Sequence, residues 1–163
     1  MSYRNKTYIV FDADTDMHYY RLMTAWRENE KIDFDFHNAH LFNNLTPLAS
    51  EEQIKRKLRE RMLNTKQVIV LVGDKIKHLH KYVRWEIEIA QNLDLPIIAV
   101  NIDKANCSTD KTPLILKNSY YVSVPFEINK IKYALDNFPT EYQQNKSFGP
   151  SERYYNWNKI VLN

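Results

Sequence analysis

Apolar and polar positions alternate along this chain in two rhythms that take turns. Residues 7–11, "TYIVF", form a short continuous apolar run that stops abruptly at "DADTD". The next segment, "MHYYRLMTAWREN", places Met17, Tyr20, Leu22, Met23 and Trp26 roughly on one helical face, with Asp14 or Asp16 placed to cap its start. "KIDFDF" alternates strictly from Ile32 to Phe36, the period of a half-exposed edge strand. Ser50 and Gln53 form the pattern of a capping box and open a helix over residues 51–63. "QVIVLVG" (67–73) is apolar throughout, as a central parallel strand covered on both faces is. A helix over 81–92, a buried strand in "PIIAVNID", a fifth strand at 120–124 and a helix over 127–137 follow, and Pro139 is expected to stop that last helix.

Strands alternating with helices five times predict one α/β domain with a parallel sheet, right-handed crossovers and helices on both faces. Five strands suggest the flavodoxin-like order 2-1-3-4-5. The domain is assigned to residues 1–138. The aromatic, polar tail 139–163 has no clean period and is expected to pack on the same domain as an appendage. In such sheets ligands bind beyond the carboxyl ends of the strands, at the switch point beside strand 1. The informative segments are therefore "FDADTDMHY", "HNAHLFNN" and "GDKIKHLHKYVRWE".

Composition narrows the chemistry. With 163 residues the chain can bury a sizeable core. Its only glycines are Gly73 and Gly149, which excludes both the dinucleotide-type and the P-loop phosphate cradles. The net charge of +3 is small, and the basic run 54–66 interleaves with acids and with Ile54, Leu58, Met62 and Leu63 at helical spacing. That is a solvated helix face, and no nucleic-acid partner is expected. The single Cys107 excludes an internal disulfide and a cysteine metal site, and it points to a reducing compartment. No stretch approaches the roughly 20 apolar residues of a membrane span, and the first residues lack a secretory apolar run, so a cytoplasmic protein without a membrane partner is expected.

The three segments carry candidate groups. Asp12, Asp14 and Asp16 fall at the end of strand 1, where carboxylates suit either a hard cation or ribose hydroxyls. His37 and His40 lack an evident third ligand, and no metal site is assigned. Gly73 allows a tight turn, and Asp74 follows it. On the helix over 81–92, Val83, Ile87, Ala90 and Glu86 share a face or its border. A carboxylate there, beside Trp85, is placed to be partly desolvated and aimed at the strand-end cleft.

These residues resemble a known family. "YVRWEIEIAQNLDLPIIAVNI", with Arg84, Trp85 and Glu86 in a row, is similar to the helix and following strand of bacterial TIR-like domains, above all the ThsB-type proteins of Thoeris antiphage systems. "TYIVFDADTD", "FHNAHLF" and "IKRKLRERMLNTKQVIVLVG" resemble the family's first strand and loop, second loop, and the helix and strand before the catalytic helix. The likeness runs over about residues 7–137. Asp12 and Asp14 depart from the Ser and Tyr or Phe of many TIR domains, and the tail is not part of the core pattern. The resemblance implies a TIR-like fold and an NAD⁺-consuming enzyme of the NAD⁺ glycohydrolase or ADP-ribosyl cyclase type. NAD⁺ is then a substrate, with no bound cofactor. Glu86 is implied as the catalytic residue, with Phe11, Asp12, Asp14, Asp16, His40 and Trp85 as substrate-binding positions. It further implies self-association through TIR surfaces and a cyclic or conjugated ADP-ribose product that activates a separate effector. Two alternatives stand beside it. One is a non-catalytic TIR-like scaffold. The other is a phosphoacceptor receiver domain, against which strand 5 offers no Lys at its end.

Overall fold

The computed structural model describes residues 6–29, the backbone of 36 and 37, and residues 50–162. Six strands form one sheet in the order β2-β1-β3-β4-β5-β6. They are β1 (Thr7–Val10), β2 (Phe36–His37), β3 (Gln67–Val72), β4 (Ile97–Asn101), β5 (Tyr120–Pro125) and β6 (Ser151–Tyr154), and every neighbouring pair is parallel. Among the described residues four α-helices lie between strands, α1 (Ala13–Glu28), α2 (Glu51–Leu63), α3 (Lys81–Asn92) and α4 (Ile128–Asn145), while β4 connects to β5 through a loop with only a short 3-10 helix, Leu114–Asn118.

The continuous apolar strands have the expected cause. Every residue of β1, β3, β4 and β5 is buried, because helices cover both faces. Ile9, Ile69, Leu71, Ile98, Val100 and Val122 point to one side, against Tyr20 and Met23 of α1 and Ile131, Leu135 and Phe138 of α4. The alternate residues Tyr8, Val10, Val68, Val70, Val72, Ile97 and Ala99 point to the other side, against Met62 of α2 and Val83, Ile87 and Ala90 of α3. The capping box of α2 forms as predicted: Gln53 N donates to Ser50 Oγ at 3.2 Å, and Ser50 N to Gln53 Oε1 at 2.9 Å.

Three expectations are corrected. The N-cap of α1 is neither Asp14 nor Asp16 but Asp12, the last extended residue (φ −80°, ψ 106°), whose carboxylate accepts from Asp14 N at 3.0 Å. Asp14 and Asp16 already lie in the first helical turn. Pro139 does not stop the last helix: α4 runs through it to Asn145. Its ring removes one backbone donor, yet the turn beyond it is held by Tyr142, which packs on Tyr120 and donates to Asp94 Oδ1 at 2.6 Å. The boundary drawn between residues 138 and 139 therefore falls inside a helix.

The third correction is that the sheet has a sixth strand, built from the tail. β6 pairs Ser151–Tyr154 with Tyr120–Ser123, so α4 and β6 complete one more strand–helix–strand unit. Periodicity could not reveal β6, because it lies at the sheet edge with mostly exposed side chains. Glu152 fixes it on one side, accepting from Ser108 N (2.7 Å) and Tyr121 Oη (3.2 Å). Beyond it Tyr155, 1% exposed, enters the core, meeting Tyr133 edge-on and Trp157 at a tilt.

Candidate functional site

In this strand order the chain leaves β1 toward β2 on one side and has β3 on the other, so the switch point lies between β1 and β3. Both strands end there in polar residues. Asp12 is 3% exposed. One of its carboxylate oxygens caps α1, and Oδ2 lies 3.7 Å from His80 Nε2, just ahead of α3. One turn on, the Asp16 carboxylate lies over the backbone of Gly73. A Cβ at residue 73 would stand 2.5 Å from Asp16 Oδ1 and closer still to Oδ2, so only glycine admits this approach. Among the described residues Asp16 Oδ2 has no hydrogen-bond partner. Burial, and after it the neighbouring charge of Asp12, push the Asp16 carboxyl up to about 6, while the Thr15 hydroxyl pulls the other way.

Asp16 and Gly73 line a cleft of about 390 Å³ together with Tyr19, Lys75, Asp103 and Lys111. Lys111 Nζ reaches Asp74 at 2.8 Å and Asp103 at 3.6 Å. Its hydrogen bond holds the exposed Asp74 below the usual carboxylate range. A second cleft, of about 790 Å³, lies along the outer side of α3 and includes Arg84 and Glu88. Glu86 lines neither.

Glu86 instead points into the layer beneath α2 and α3. It is 3% exposed and sits on the buried stripe of α3 with Val83, Ile87 and Ala90, deeper than the border position its spacing suggested. Among the described residues its Oε2 has no hydrogen-bond partner, and neither does the hydroxyl of Tyr8, which faces it from β1. The two groups are close enough to act on each other electrostatically but fall short of a hydrogen bond of normal geometry. Burial raises the Glu86 carboxyl to about 8, and Tyr8 draws it back only in part. At neutral pH Glu86 is thus mainly a neutral acid, one that a nearby positive charge would ionise.

Trp85 turns toward α2. Lys55 Nζ stands 4.7 Å and Lys81 Nζ 5.2 Å from the centre of its ring, and Tyr82 meets it edge-on at 5.5 Å. Lys81 also pairs with Glu51 at the start of α2, which ties the two helices together above the buried Glu86.

The predicted site residues therefore separate into groups. Asp12 and Asp16 come together at the switch point. Asp14 is exposed beside them. Phe11, 1% exposed, stacks on Tyr20 at 4.8 Å in the opposite core layer. Glu86 and Trp85 occupy the α2–α3 side, and His40 lies outside the described residues. Among the described residues, no three His, Cys, Asp or Glu side chains converge in a way that would hold a metal ion. Sequence reasoning missed Tyr8, which reads as one more apolar strand residue. It also missed Lys111, which lies in a loop without periodicity and reaches Asp74 only through the fold.

Comparison with known proteins agrees with the architecture. A family model described as "Thoeris protein ThsB, TIR-like domain" matches residues 8–107, from β1 through α3 and β4. No curated protein matches the chain. Among solved structures, the chain is similar to the crystal structure of a conserved protein from Enterococcus faecalis V583. That likeness has a TM-score of 0.50 at 14% identity and covers 94% of this chain and 92% of the other, a likeness of fold alone. The family match spans well over half of the 163 residues and includes both strand ends at the switch point and the helix of Glu86, so the chain belongs to the family of the Thoeris protein ThsB, TIR-like domain.

Proposed function

We propose that this Thoeris-type protein consumes NAD⁺, cleaving the bond between nicotinamide and ribose and releasing a cyclic or conjugated ADP-ribose signal to a separate effector. The observation that carries this reading is Glu86: a buried carboxyl with an unpartnered oxygen and a raised pKa, on the helix that follows β3. Carboxyls so perturbed are costly in a core and cluster at functional sites.

The chemistry needs little else. In NAD⁺ the nicotinamide nitrogen already carries a positive charge. Breaking the C1′–N1 bond sends the electron pair to that nitrogen, so a neutral leaving group departs without an acid. The ribosyl fragment left behind is an oxocarbenium-like cation. A carboxylate beside it stabilises the developing charge, and a water or an acceptor hydroxyl then bonds to C1′ and loses its proton. The approach of the cationic substrate favours ionised Glu86 over the neutral form that burial otherwise imposes. The family resemblance extends the scheme to Asp12 and Asp16 for the ribose hydroxyls and to Trp85 for a wall of the site, although in this structure Asp12 and Asp16 stand apart from Glu86, and no metal enters the scheme.

Mass spectrometry of the products formed from NAD⁺ tests this reading. Glu86→Gln keeps size and hydrogen bonding but removes the charge, and it is expected to lower turnover by roughly 10² or more. Near-wild-type turnover by the folded variant would remove Glu86 from the reaction. A second reading, a TIR-like scaffold without catalysis, is favoured by one observation, the near-complete burial of Glu86. It predicts no nicotinamide release under any state of assembly.

A further inference from the structure

Tyr8 occupies an expensive position. Its ring is fully buried in the layer beneath α2 and α3, where Val10, Val68, Val70 and Ile97 are aliphatic. A phenylalanine there would fill the same space and leave no hydroxyl without a partner. The hydroxyl instead faces the carboxyl of Glu86, and among the described residues neither Tyr8 Oη nor Glu86 Oε2 has a hydrogen-bond partner. Two orphaned polar groups opposite each other in an otherwise apolar layer form a pair that closes when one of them changes charge. A neutral carboxylic acid gains only an ordinary hydrogen bond from a phenolic donor. A carboxylate does, since a hydrogen bond to the charged form stabilises it far more.

We infer that Tyr8 is a positioning residue for Glu86: its hydroxyl donates to the carboxylate once Glu86 ionises, fixing its orientation and setting the pH at which it becomes charged. This rests on the reading of Glu86 as the catalytic carboxylate. The surroundings leave Tyr8 little competition. Burial and Tyr8 are the influences that act on the Glu86 carboxyl. Burial first, and the Glu86 carboxyl after it, hold the Tyr8 phenol well above its usual range, so it keeps its proton to donate; Arg61 of α2 pulls the other way. The neighbouring polar group of β3, Gln67, is uncharged and donates to Thr7 Oγ1 at 3.2 Å. Tyr8 does not touch the reacting atoms, and it acts through Glu86 alone.

The variant Tyr8→Phe keeps the buried ring and removes only the donor. Its hydrogen bond favours the charged carboxylate, so its loss raises the Glu86 pKa further. The rising limb of the kcat/KM–pH profile, which reports the free enzyme, should then move to higher pH by about one unit. At neutral pH this lowers kcat/KM about tenfold, and the deficit closes as pH rises past the new midpoint. A merely structural role would lower activity equally at every pH. The titration of Glu86 provides a second readout that needs no turnover. Carbon-13 NMR of glutamate-labelled protein, with the Glu86 signal assigned from its loss in Glu86→Gln, should show a midpoint near 8 in the parent. In Tyr8→Phe that midpoint should be higher. An unmoved midpoint overturns the inference, whatever the activity. A moved midpoint in a protein that never cleaves NAD⁺ upholds the Tyr8–Glu86 coupling and overturns the enzymatic reading instead.

Discussion

Single side chains at this site are held against their ordinary preferences, and that tension is measurable as stability. Glu86 has a folded-state pKa of about 8 against about 4.5 for the unfolded chain. Between these values the folded state holds the extra proton, so stability is fullest below the unfolded pKa and falls as pH rises toward 8. The slope from this group is at most about 1.4 kcal/mol per pH unit. Glu86→Gln cannot ionise and is expected to be more stable than the parent at pH 8, the difference shrinking toward pH 4.5. Urea melts at both pH values read this directly, and a constant difference across the range would contradict the buried, neutral Glu86. Gly73 makes the complementary case in sterics. Gly73→Ala drives a methyl group into the Asp16 carboxylate and is expected to cost roughly 1–3 kcal/mol. Shortening the neighbour in the pair Gly73→Ala, Asp16→Ala should recover part of that loss, and strictly additive losses would place the clash elsewhere.

At the scale of elements, the tail is structural in full. α4 passes through Pro139, and β6 covers the edge of β5 that would otherwise end the sheet. Behind β6 the anchor is Tyr155, which donates to Glu141 Oε2 at 3.0 Å and packs against Tyr133 edge-on and Trp157 at a tilt. Tyr155→Ala is expected to destabilise the whole domain by roughly 3–5 kcal/mol, the range for emptying a buried aromatic site. Thermal unfolding followed by circular dichroism should show a single lowered transition. A small local loss that left β1 to β5 melting as before would return the tail to the status of an appendage. The pairing of α2 and α3 is the other element-level feature: Lys55 and Lys81 over Trp85, with the Lys81–Glu51 pair, roof the layer that holds Glu86.

For the molecule as a whole, activity is expected to depend on assembly. The segment between β2 and α2 carries Leu41, Phe42, Leu45 and Leu48, an apolar density unusual for a connection, and these positions lie outside the described residues. Apolar groups in a connection pack on their own domain or meet a partner. If a second copy completes the site, specific activity rises with enzyme concentration, and Phe42→Ser with Leu45→Ser lowers both self-association and specific activity. Light scattering and NAD⁺ turnover over a hundredfold range of concentration test this. Flat specific activity from a persistent monomer would remove it. No helix among the described residues is long and apolar enough to cross a membrane.

The sequence by itself determined the elements whose burial is uniform or periodic. β3, α2 with its capping box, and α3 from Lys81 to Asn92 all stand where the pattern put them, because local signals and tertiary burial agree there. The parallel order from β2 to β5 followed from the alternation of strand and helix. The sequence put Glu86 on a face of α3 or at its border, and its proposed catalytic role came from the family resemblance. What only the tertiary structure decided were relations between distant residues. Tyr8 looks like core until the fold sets Glu86 opposite it. Gly73 looks like a turn glycine until Asp16 settles on it. Pro139 looks like a stop until Tyr142 holds the turn beyond it. β6 has no internal pattern, because an edge strand owes its shape to the strand beside it and to Glu152 and Tyr155, contacts that exist only once the chain has closed on itself.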